Sequence, residues 1–363
     1  MKKSLIMMAA LIFSLALFLP LASAKTIVAG PAAQDPTPEE AAAYKLWFDA
    51  NGAKDYPKAM ELAKAYLEKF PSGKYADYLK NKWIPSLYPT FFNQAVQAKN
   101  VPEIIRIGKD VLARDADNLD YLSALVVQIR TLELFASPPN FAHAAEAAEF
   151  AERAIRLIEA GKTPTGADPQ KFNKPVTLGY MHQTLAVIYE HDKNIDKALA
   201  EYEKAAGFDP ANITYFFHSG RIHNDKYNAA AQKYEAAQKK VDAIPEADRN
   251  AAEPKPEVKA AIDEAKAALA EVKSQATAVI NYWARYLGLT TDKPSEARTT
   301  VMGVVTGLYK FLNNKEDGLQ KLIDDNKASA TPVKMTPPPE TPVQPKPAAE
   351  SNAAAKPNGK KPR

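Results

Sequence analysis

The chain has 363 residues, 46% hydrophobic and 25% charged, which is enough for one elongated or two compact domains and excludes a wholly disordered protein. It contains no cysteine, which excludes disulfides, thiolate metal sites, cysteine nucleophiles and lipid attachment through cysteine. The formal net charge is +4.

Lys2 and Lys3 precede an apolar run from Leu5 to Leu21 that closes on Ala22-Ser23-Ala24, the layout of an export signal. Residues 1–24 are therefore expected to be a signal peptide, leaving a mature chain that starts at Lys25 in the periplasm or outside the cell. An uncleaved anchor is the alternative, although the run sits at the short limit for a bilayer span. No later segment is apolar enough to cross a membrane, so no integral segment is expected after cleavage.

Residues 25–36 are small and irregular. Thr37-Pro38-Glu39-Glu40 reads as a helix cap, a first-turn proline and two acids at the positive helix end. This helix carries Tyr44, Trp47 and Phe48 and stops near Gly52; a second, from about Pro57 to Phe70, presents Ala59, Leu62, Ala63, Tyr66 and Leu67. Three helices are expected between Tyr75 and Arg114, broken at Pro85, Pro89 and Asn100 to Pro102, with Ile104, Ile105, Val111 and Leu112 inward. A strongly apolar helix follows from Leu119 to Phe135, then a turn at Ser137-Pro138-Pro139-Asn140. The next helix carries a core stripe of Phe141, Ala144, Ala148, Ala151, Ile155 and Ile158. Residues 37–160 thus form one helical half, and 161–177, rich in proline and glycine, a loop or hinge.

The clearest unit spans residues 178 to 210. Leu185, Ala186 and Tyr189 share one helix face, Ala198, Tyr202 and Ala205 share another, and Pro210 stops the second helix. The pattern His182-x2-Leu185-Ala186-x2-Tyr189, then Ala198-x3-Tyr202-x2-Ala205-x4-Pro210, resembles the tetratricopeptide repeat (TPR) signature, with His182 and Ala186 replacing a large aromatic and a glycine. The run YLEKFPSGKYADYL at 66–79 is similar to repeats of periplasmic TPR proteins of envelope assembly. The resemblance implies an all-α solenoid of helical hairpins, each leaving an apolar face for its neighbour.

Residues 178–327 hold the repeats and C-terminal helices. Ile213 to Tyr234 reads as a shorter hairpin, with Phe216, Phe217 and Gly220 in its first helix and Ala230, Tyr234 and Ala237 in its second. A long alanine-rich helix from about Glu257 to Leu287 and helices at 295–312 and 316–326 finish the body. From 328 to 363 a disordered Pro/Ala/Lys-rich tail is expected: nine of its last 33 residues are proline, and six are basic against two acidic. That tail carries +4, the charge of the whole chain, so with the two signal lysines also set aside the body is net −2.

No nucleophile elbow, Gly-rich phosphate loop or HExxH motif is present, and no cofactor, metal or catalytic residue is expected. His218, His223 and Asp225 are more simply surface or packing residues than a metal cluster. TPR units generally bind peptides or proteins in a groove lined by their first helices. The resemblance places Tyr180, Gln183, Val187, Glu190, Phe217, Arg221 and Asn224 there, with Tyr180 and Phe217 equally readable as packing between repeats. Gln183 and Val187 stand where the carboxylate-clamping TPRs have a lysine and an asparagine. The expected function is a non-catalytic protein-interaction scaffold of the cell envelope, with a protein or peptide partner and no nucleic acid. The alternative is a module for an envelope polymer or small ligand, its basic tail contacting peptidoglycan or anionic lipid.

Overall fold

Short polar residues write the helix starts. Thr37 Oγ1 accepts from Glu40 N, Asp55 Oδ1 from Lys58 N, Asn100 Oδ1 from Glu103 N, Asn118 Oδ1 from Tyr121 N and Asn173 Oδ1 from Val176 N, all at 3.1–3.2 Å. The computed structural model describes residues 35–165 and 171–335 and is all-α, with no strand among the described residues. The expected signal peptide, the segment 25–34 and everything past 335 lie outside the described residues. Two compact units are distinguished by their internal contacts: one ends at Asp225 and takes in 329–332, the other comprises 226–328 and continues from Val333.

The first unit contains α1 (Pro38–Gly52), α2 (Tyr56–Lys69), α3 (Ala76–Tyr78), α4 (Ile84–Gln97), α5 (Val101–Leu112), α6 (Leu119–Ile129), α7 (Ala144–Glu159), α8 (Lys174–His191) and α9 (Ile195–Phe208). The start of α10 (Ile213–Asp242) completes it. Helices adjacent in sequence pack on one another: α1 on α2, α4 on α5, α5 on α6, and so on through α8 on α9. Three of these pairs close through the same turn. In Ala53-Lys54-Asp55, Ala98-Lys99-Asn100 and Asp192-Lys193-Asn194 the lysine takes a left-handed backbone (φ 60°, 53° and 62°) and the next residue donates its N–H five residues back, to Ala50, Ala95 and Tyr189. In the first two, that residue also caps the following helix with its side chain.

Alanine sets the helix spacing. Ala59, Ala63, Ala147, Ala151, Ala154, Ala198 and Ala205 are all 0% exposed, so neighbouring backbones approach with little side chain between them. Gly108 of α5 lies against Leu125 of α6 so closely that a Cβ would sit 2.6 Å from that side chain.

Several expectations are corrected. Pro85 and Pro89 do not break the chain into separate helices: α3 runs without interruption through a π-helical turn (Leu79–Trp83) into α4, Pro85 falling in the first turn of α4 and Pro89 inside it. In that turn Ile84 N donates to Leu79 O, five residues back. The same register would direct residue 85 to Lys80 O, and the N–H that proline lacks is replaced by Arg114 Nη1 at 2.5 Å. The loop expected at 161–177 ends at Asn173, because that residue caps α8. The hairpin expected over Ile213 to Tyr234 is one 30-residue helix, α10. Between Gly220 and Ala230 there is neither a proline nor a left-handed residue to turn the chain.

The second unit holds the end of α10, α11 (Glu246–Arg249), α12 (Pro256–Leu289), α13 (Glu296–Asn313) and α14 (Leu319–Ala328). Both α13 and α14 pack on α12. A Cβ on Gly288 would meet Lys327 N at 2.7 Å and Ile323 O at 2.8 Å, so α12 and α14 touch backbone to backbone there. The tail does not begin at 328. Asn326, 0% exposed, accepts from Val333 N at 2.9 Å and donates to Val333 O at 2.8 Å; Met335 N donates to Asn281 Oδ1 at 2.6 Å, and the Met335 side chain is buried. Residues 333–335 are thus held by Asn326, by Asn281 and by the buried Met335 side chain. None of the described helices is long and apolar enough to cross a membrane.

Candidate functional site

The residues expected to form a groove lie on α8 and the start of α10, with a contribution from α6 that sequence reasoning missed. Arg130 follows α6 in a second π-helical turn (Arg130–Leu134), closed by Phe135 N donating to Arg130 O. Its guanidinium carbon lies 3.9 Å from the Phe135 ring centroid and 3.6 Å from that of Tyr180, and Nη2 donates to Gln183 Oε1 at 2.5 Å. Its Nε is buried without an acceptor, and no carboxylate pairs with it among the described residues. Burial pulls the Arg130 pKa down, against an opposing pull from Tyr180. The one signal of this site in the sequence is a lone arginine within the otherwise apolar stretch from Leu119 to Phe135.

Gln183 is thus not a groove contact but a buried support, 2% exposed, for the arginine. Tyr180 is half-buried and serves as one face of the arginine's seat. Three to four residues further along the same α8 face, Val187 is half-buried and Glu190 begins a second polar cluster. Glu190 accepts from Arg221 Nη2 and, at 3.3 Å, from the buried Tyr202 hydroxyl. His218 Nδ1 stands 3.7 Å away. Burial pushes the Glu190 carboxyl up, but His218 and Arg221 outweigh it and hold the pKa below the usual carboxylate value. Arg221 also reaches Asp225 at 3.4 Å. Phe217 meets His218 edge to face at 5.8 Å, and His218 stacks on Tyr202. Phe217 and Asn224 are half-buried.

The residues assigned to the repeat framework occupy the α8–α9 interface. Leu185, Ala186, Ala198, Tyr202 and Ala205 are buried, while Tyr189 and Pro210 are half-buried. His182, in place of a large aromatic, stacks on Phe208 with ring centroids 5.5 Å apart and pairs through Nδ1 with Glu201 Oε2 at 2.6 Å. Lys204 holds the other Glu201 oxygen at 2.7 Å. Burial raises the Glu201 pKa, yet His182 and Lys204 bring it below the usual value.

The site therefore offers an arginine just after α6 that has no counter-ion among the described residues, an aromatic and aliphatic strip on α8 and α10, and an Arg-Glu pair that is partly open to solvent. Such a set has the chemistry to hold carboxylates and apolar side chains. Among the described residues, no group of three His, Cys, Asp or Glu side chains is disposed to hold a metal. No family model matches the chain, and no curated protein matches it.

Proposed function

We propose that this chain is an exported, non-catalytic TPR-like scaffold that binds an extended segment of a partner protein across α6, α8 and α10. The observation that carries the reading is Arg130. A guanidinium lying within 4 Å of two aromatic ring centroids, bound to Gln183 and paired with no carboxylate among the described residues, is costly to desolvate without a compensating anion. A partner segment bearing an aspartate, glutamate or terminal carboxylate supplies one. Arg130 bridges α6 to α8 through Gln183, and Glu190 bridges α8 to α10 through Arg221, so the three helices present a continuous strip. The repeated lysine turn that closes α1–α2, α4–α5 and α8–α9 supports an array of related hairpins. The basic, cleavable-looking leader supports export to the periplasm or beyond.

Partner capture from an envelope extract by immobilised mature chain tests the reading. Arg130→Gln and the double variant Phe217→Ala, Arg221→Ala should each reduce capture by about tenfold or more, equivalent to about 1.4 kcal/mol. Capture that survives both changes in well-folded variants rejects the strip as the binding surface.

A further inference from the structure

A second site lies on the α2–α5 part of the first unit and uses none of the residues of the α6–α8–α10 strip, so it stands or falls independently of that reading. It is an open cleft of about 750 Å³, within the size range of small-ligand sites. Ile84 and Tyr88 give it an apolar floor, and Lys64, Lys80 and Arg114 stand at its walls.

Charge is unbalanced there. Among the described residues no carboxylate comes within ion-pair distance of Lys80 or Arg114, and Lys64 acts on an acid only at longer range, helping to lower the Glu103 pKa. Asp110, the acid in the lining, is bound to Arg106 at 2.9 Å, and the neighbouring Glu103 pairs with the same arginine. The wall is also locally unusual, because Lys80 and Asn81 belong to the π-helical turn. π turns of this kind recur at functional sites. Here the turn fixes a cation: Arg114 spends Nη1 on the carbonyl of Lys80 left open by Pro85, and its guanidinium carbon lies 5.9 Å from the Tyr88 ring centroid. Arg114 is thereby pre-positioned, with further donors for a ligand.

We propose that this cleft binds a small anionic amphiphile, its acidic head between Lys64, Lys80 and Arg114 and its apolar body over Ile84 and Tyr88. The head is a carboxylate, sulfonate or phosphate; an uncharged apolar compound leaves the cations unmatched, and a bare anion leaves the floor uncovered.

The test uses the full chain and three probes: anilinonaphthalene sulfonate, its uncharged counterpart phenylnaphthylamine, and inorganic phosphate. The sulfonate should bind at one site per chain, at least about tenfold tighter than the uncharged dye, and phosphate at the same concentration should not displace it. Lys64→Gln, an exposed change, should weaken the sulfonate several-fold. Lys64→Gln with Arg114→Lys, which retains a cation but loses the fixed fork, should weaken it about tenfold while circular dichroism stays unchanged. No sulfonate binding, equal binding of the uncharged dye, or binding indifferent to these substitutions in folded protein overturns the proposal.

Discussion

At the residue scale, buried alanines and paired carboxylates give the clearest energetic expectations. Ala198 is 0% exposed where α8 meets α9, so Ala198→Asp places an unpaired carboxylate between two helices. The expected cost is on the order of 3 kcal/mol or more, read as a fall in the thermal midpoint of helical circular dichroism. Titration gives a second expectation with a definite sign. Glu190 and Glu201 have folded pKa values below their ordinary 4.5, so their contribution is fully present above that value and is lost as pH falls through the folded pKa values. Tyr121 runs the other way: burial pushes it up to about 12, so its contribution is fully present below its ordinary value of 10 and is lost as pH rises through about 12. Stability measured by denaturant across pH should therefore decline on both sides, and Glu201→Gln should flatten the acid limb. An acid limb unchanged by that substitution would remove the His182–Glu201–Lys204 cluster from the explanation.

At the scale of elements, hairpin termini were legible and their irregularities were not. Thr37, Asn100 and Asn118 announce their helices because a capping side chain is a local, short-range device. The π turns at Leu79–Trp83 and Arg130–Leu134 leave no such mark, since one extra residue in a turn barely disturbs a 3.6-residue apolar period. Prolines 85 and 89 therefore read as breaks, and the arginine that compensates the first lies 29 residues after it in sequence. The seat of Arg130 was hidden for the same reason, because Gln183 is 53 residues away and only tertiary contact identifies its role. The tail boundary shows a similar limit. Val333 and Met335 sit in a proline-rich, polar context, yet a buried Asn326 pairs with the backbone of one and Asn281 with that of the other. A chain ending at Ala330 leaves the Asn326 amide without these partners and should lose about 2 kcal/mol or more locally, whereas one ending at Met335 should match the full protein. Amide hydrogen exchange in α14 distinguishes the two; equal protection in both would show that the clasp contributes nothing.

At the scale of the whole molecule, the all-α class follows from alanine-rich amphipathic segments, while the division into two compact units inside α10 does not. A loop with several prolines at 161–177 looked like the natural seam, but α7 and α8 pack directly on each other across it. The residues expected on the groove from their spacing do lie on α8 and α10, but Gln183 among them is buried, and Arg130, which pairs with no carboxylate among the described residues, is visible only in the structure. The central proposal is that this strip holds a partner segment. Its most direct test is a photo-reactive residue placed at Val187, on the α8 face between Gln183 and Glu190, compared with one at the exposed Ala200 of α9 and one at Asn352 of the tail, in the native host. The account predicts a partner adduct from Val187 that disappears with Arg130→Gln and no adduct from Ala200; adducts from Asn352 alone, or equally from Val187 and Ala200, would contradict it.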